Sequence, residues 1–129
     1  MKRATSRKAA RRQALYLLYQ WDLTGQELAS LYEGEPDEFA RSLADAVSRR
    51  AGSLDVRITA ASPDWPADRL GTLERNILRI GVYELEEETV PREVAINEAV
   101  VLAKRYASED AARLVNGVLA RIAREEEAA

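Results

Sequence analysis

Cysteine and histidine are both absent from this sequence. Without thiols no disulfide can support a core, and thiol chemistry is excluded. Without imidazole the commonest general base and the commonest metal ligand are missing, which removes histidine-based triads and ordinary zinc sites. Glycine is scarce, and Gly25, Gly34, Gly52, Gly71, Gly81 and Gly117 are all isolated, so no Gly-rich phosphate loop exists. Proline and the aromatics are also few. No apolar run approaches the roughly 20 residues of a membrane span. The longest, Ala14 to Tyr19, gives way to Gln20, Trp21 and Asp22 and is too short for a signal-peptide core. A cytoplasmic protein with no membrane partner, no cofactor, no metal and no enzymatic activity is expected. The carboxylate runs Glu86 to Glu88 and Glu125 to Glu127 read as solvated surface rather than as acid–base pairs.

What is abundant is helix-forming residues. At 129 residues the chain has the length of one domain with a real core, and its composition predicts an all-α fold. The pattern that organises it runs from Leu70 to Leu85, where Leu70, Leu73, Ile77, Leu78, Gly81, Val82 and Leu85 recur at helical spacing. Gly81 lies inside that stripe and predicts a close approach by another backbone. Glu74, Arg75, Arg79, Tyr83 and Glu84 fall off it and are expected at its edge.

Six to seven helices in two packed halves, about residues 5–61 and 64–124, are expected. The first runs from about Thr5 to Leu23 with Ala10, Ala14, Leu17, Leu18 and Trp21 on one face, closed by Thr24 and Gly25. A short helix over Gln26 to Glu35 follows, ended by Gly34 and Pro36. Asp37 is placed to cap a helix to about Ala51, with Phe39, Leu43, Ala46 and Val47 buried and Gly52 as its stop. Leu54 to Ala60 is a further short helix. The Ser62 to Pro66 punctuation predicts a join between the halves, with Trp65 packed between them. Pro91 precedes a helix from about Arg92 to Tyr106, and Ser108 caps the last one. Asn97 is expected near a buried face. Asn116 and Gly117, poor helix formers in mid-helix, call for a close crossing or a specific hydrogen bond.

The formal charge of −3 conceals a separation. Lys2, Arg3, Arg7, Lys8, Arg11 and Arg12 all precede the first acid, Asp22, and the rest of the chain carries −9. A cationic first turn opposes the helix dipole, so the cluster calls for an anionic partner. Arms of this kind bind nucleic acid by neutralising phosphates.

Four stretches, ARRQALYLLYQWDLTG, DWPADRLGTLERNILRIGVYEL, VPREVAINEAVVLAK and SEDAARLVNGVL, resemble the NusB family of bacterial transcription antitermination factors. The ordered combination of ILR-x-x-x-YEL, INEAV and VNGVL is specific, whereas residues 26–62 match only in pattern. The resemblance implies a non-enzymatic protein that pairs with NusE, a ribosomal protein of the small subunit. The pair is expected to bind the boxA element of single-stranded nascent ribosomal RNA and to help assemble the antitermination complex on RNA polymerase. It implies RNA contacts for Arg7, Lys8, Arg11 and Arg12, extended to Lys2 and Arg3 by their charge, and a NusE-facing role for Tyr19 and Glu84. Two positions depart from the family pattern: Ala120 stands where Asp often follows NGVL, and Arg12 adds a basic residue. The competing readings are a helical adaptor or homodimer of the same fold, and a stand-alone relative of the NusB-like domain of ribosomal RNA cytosine methyltransferases.

Overall fold

In the computed structural model, which describes residues 6–128, Ser6 starts the first helix: its side-chain Oγ accepts the Ala9 N–H at 3.1 Å. Helix α1 (Arg7–Thr24) ends where Gly25 takes a left-handed φ of 74° and donates its N–H to the Trp21 carbonyl. The Gln26–Glu35 segment forms only a 3-10 turn over Leu28–Leu31, with Leu28 buried. One buried leucine ahead of a left-handed Gly34 and Pro36 is too little to stabilise a full helix.

Helix α2 (Glu38–Arg49) is capped as expected, the Asp37 carboxylate accepting the Ala40 N–H at 3.1 Å. Its buried stripe is Ala40, Leu43, Ala44 and Val47; Phe39 and Ala46 are only half-buried. Gly52 does not end this helix. The chain turns at Arg50, whose φ is −103°, and Gly52 lies in the first turn of α3 (Ala51–Ala61).

The remaining helices among the described residues are α4 (Thr72–Glu87), α5 (Arg92–Tyr106) and α6 (Glu109–Ala128). The chain divides at Arg50–Ala51 into two compact units, so α1 and α2 form one and α3 to α6 the other. The Ser62–Pro66 turn therefore lies inside the second unit. It is tied down there: Ala67 N–H donates to Thr59 Oγ1 at 3.0 Å, and Arg75 donates to the Ala67 and Leu70 carbonyls. Trp65 is 56% exposed rather than packed between halves.

Within the second unit α4 contacts α3, α5 and α6, and α6 likewise contacts the other three helices, so the two share the central place. Ile77, Leu78, Ile80, Val82 and Leu85 are essentially inaccessible. Gly81 faces α6 so closely that a Cβ there would stand 2.6 Å from Leu119 Cδ1. The close approach is by a side chain, not by a backbone. Of the residues expected at the edge of α4, Glu74, Arg75 and Tyr83 are half-buried, whereas Arg79 and Glu84 are buried, as is Asn76. Arg79 forks onto Asp55 of α3, Nε to Oδ1 at 2.7 Å and Nη2 to Oδ2 at 2.6 Å, while its Nη1 donates to Asn76 Oδ1 at 3.0 Å. Such a paired, hydrogen-bonded cation can be buried without large cost.

Arg57 of α3 lies 2.7 Å from Glu86 and 2.9 Å from Glu126, linking α4 and the end of α6. Burial works to lower its pKa, but contact with the two carboxylates overrides this and holds the guanidinium above its ordinary value. Ser108 caps α6 by accepting the Ala111 N–H at 2.9 Å. Asn97, Asn116 and Gly117 are exposed, and nothing lies within 4 Å of a Cβ added at Gly117, so no close crossing accounts for them.

Candidate nucleic-acid and partner interface

The first turns of α1 carry cations where the helix dipole is least favourable to them. Ser6 satisfies one of the unpaired N–H groups, and no acidic residue occupies the first turn. Arg7 and Lys8 are exposed, Arg12 is half-buried, and Arg11 is only 3% exposed. Lys2 and Arg3 lie outside the described residues. The expected patch therefore separates by depth. Arg7 and Lys8 present charge to solvent, and Arg12 does so in part. Arg11 has interactions of its own and acts first as a buried polar group.

The anchor for Arg7 comes from α2. Its guanidinium carbon stands 4.0 Å from the centroid of the Phe39 ring, and that of Arg11 stands 5.9 Å from the same centroid. Both distances fall within the range in which a cation is attracted to an aromatic face. Phe39, counted as core from its spacing, is the half-buried platform beneath the basic turn.

Of the two residues assigned to the partner face, Glu84 lies deeper than an edge position. Tyr19 is half-buried, and Glu84 is 2% exposed, with polar interactions of its own. The more exposed tyrosine in this part of α1 is Tyr16, 55% accessible, whose hydroxyl accepts from Gln20 Nε2 at 3.0 Å. It borders a shallow hollow edged by Tyr32, Glu33 and Glu35. Its position off the Ala10–Ala14–Leu17–Leu18 stripe was the available signal.

A sequence model of the NusB family matches residues 8–124. The chain belongs to the NusB family. It is 41% identical to the transcription antitermination protein NusB of Rubrobacter xylanophilus over 121 residues, covering 88% of this chain and 87% of that one. The NusB of Myxococcus xanthus is 36% identical over 132 residues, covering 92% and 94%. Among solved structures, T. maritima NusB superposes with a TM-score of 0.83 at 32% identity, over 97% of this chain and 94% of that chain. A chain from the crystal structure of antitermination factors NusB and NusE in complex with dsRNA gives 0.80 at 34% identity, over 92% and 96%. The all-α NusB fold thus extends over nearly the whole sequence. Among the described residues no helix is long and apolar enough to cross a membrane.

Proposed function

We propose that this protein is an RNA-binding transcription antitermination factor with no catalytic activity, working in the cytoplasm with NusE as its protein partner. The observation that carries the reading is the basic start of α1, where Arg7 and Lys8 stand exposed at a helix end that repels them. Positive charge there works against the helix dipole, and phosphates would neutralise it. Lys2, Arg3, Arg7, Lys8 and Arg12 are the proposed phosphate contacts, and Arg11 supports them from within. The proposed target is the boxA element of ribosomal RNA transcripts, and the proposed setting is the antitermination complex on RNA polymerase. The NusE complex among the structural neighbours, which contains RNA, supports both partners.

Tyr19 is the proposed partner contact. Glu84, buried in α4 with interactions of its own, is proposed to hold the α4 surface around it in place for NusE rather than to touch NusE itself. The test is a binding titration with boxA-like, scrambled and double-stranded RNA, with and without NusE, at two salt concentrations. Preference for the boxA-like strand, strengthened by NusE and weakened by salt, is the expected result. Equal, salt-independent signals for all three RNAs would refute it.

A further inference from the structure

We propose that Phe39 is a positioning residue for RNA binding, its ring holding the Arg7 guanidinium ready as a phosphate fork; the proposal rests on the RNA-binding reading of the α1 turn. Phe39 is the only phenylalanine in the chain. It occupies the first turn of a helix whose start is fixed by the Asp37 cap, so the ring has a defined place. Ala40 and Leu43 take the core positions beside it, leaving Phe39 half-buried beneath Arg7 at 4.0 Å.

Arg7 is the first residue of α1, at the positive end of the dipole, and Arg11 repeats its charge one turn later. Like charges four residues apart repel, and the dipole adds to the penalty. The negative face of an aromatic ring under both cations offsets part of it. A guanidinium resting on a ring also loses fewer rotamers on binding. The ring attracts the cation without using its N–H donors, so these stay available for two parallel bonds to a phosphate. Phe39 therefore contributes to affinity without touching RNA.

The test compares wild type, Phe39→Leu, Phe39→Trp, Arg7→Ala and the double variant Phe39→Leu/Arg7→Ala, all in the full chain, with a boxA-like RNA oligonucleotide over a salt series. Phe39→Leu keeps apolar volume but removes the ring face, and it should weaken binding about threefold while the charge count, and hence the salt slope, stays unchanged. Arg7→Ala should lower the slope by about 0.7, the contribution of one phosphate contact on a single strand. Phe39→Trp should restore wild-type affinity. In the Arg7→Ala background Phe39→Leu should have no further effect. Without RNA, the Arg7 Nε–H resonance should show a ring-current shift in wild type that disappears in Phe39→Leu.

Wild-type affinity in Phe39→Leu, or an equal loss in the presence and absence of Arg7, would overturn the proposal. If Phe39→Leu loses its helical circular dichroism, Phe39→Met replaces it with the same expectations. A wild-type protein that binds no RNA at any salt would overturn the RNA reading itself and this proposal with it, whatever the Arg7 resonance reports.

Discussion

Replacing Gly81 by Ala and Gly117 by Ala is the same chemical change in the middle of two helices, and the structure predicts opposite outcomes. Each substitution gains helix propensity of about 1 kcal/mol. At Gly117, on the exposed face of α6, a Cβ meets nothing within 4 Å, so the full gain of about 1 kcal/mol should appear as stability. At Gly81 the new Cβ would lie 2.6 Å from Leu119 Cδ1 and 3.1 Å from Cδ2. Leu119 has no exposed surface, so its methyl groups can move only by displacing other core atoms. Overpacking of this kind costs about 1–3 kcal/mol, which leaves Gly81→Ala less stable than wild type by about 1 kcal/mol. The two variants should differ by about 2 kcal/mol, or about 1 M in the midpoint of urea unfolding at the m-values usual for small proteins. Equal stabilisation by both substitutions would refute the claim that α4 and α6 meet at Gly81.

The Arg79–Asp55 fork yields a second prediction. Asp55→Ala removes the bidentate partner of a guanidinium whose side chain is 7% exposed, and thermal unfolding should report a loss of about 3 kcal/mol. An unchanged melting temperature would contradict it. Glu88 ends α4 with a φ of 54°, left-handed backbone that suits glycine. Glu88→Gly should therefore stabilise the protein by about 1 kcal/mol, measured by the same melt, and a loss of stability would count against the strain.

The sequence made helix ends legible wherever the signal was local. Asp37, Ser108 and Gly25 each close or open a helix through bonds made within four residues, so spacing alone located them. Gly52 was misleading because a glycine stop needs a left-handed backbone, and here Arg50 turns the chain first. The burial of Arg79 and Glu84 was invisible for a different reason. An apolar stripe reveals one buried face, whereas α4 also buries polar side chains outside that stripe. Asp55, the partner of Arg79, lies 24 residues away, beyond any local periodicity. The basic cluster could be read from charge order alone, but its division into exposed Arg7 and Lys8 and buried Arg11 depends on packing. Phe39 followed the core pattern closely enough that its place beneath Arg7 emerged only from the fold.

The central claim is that the exposed cations of α1 bind RNA phosphates. Its most direct test is the salt dependence of boxA-like RNA binding by wild type and by the triple variant Arg7→Ala, Lys8→Ala and Arg12→Ala, which spares the buried Arg11. With three single-strand phosphate contacts removed, the log–log slope should fall by about 2, with weaker binding and an unchanged helical spectrum. A triple variant whose affinity and slope match the wild type would contradict it.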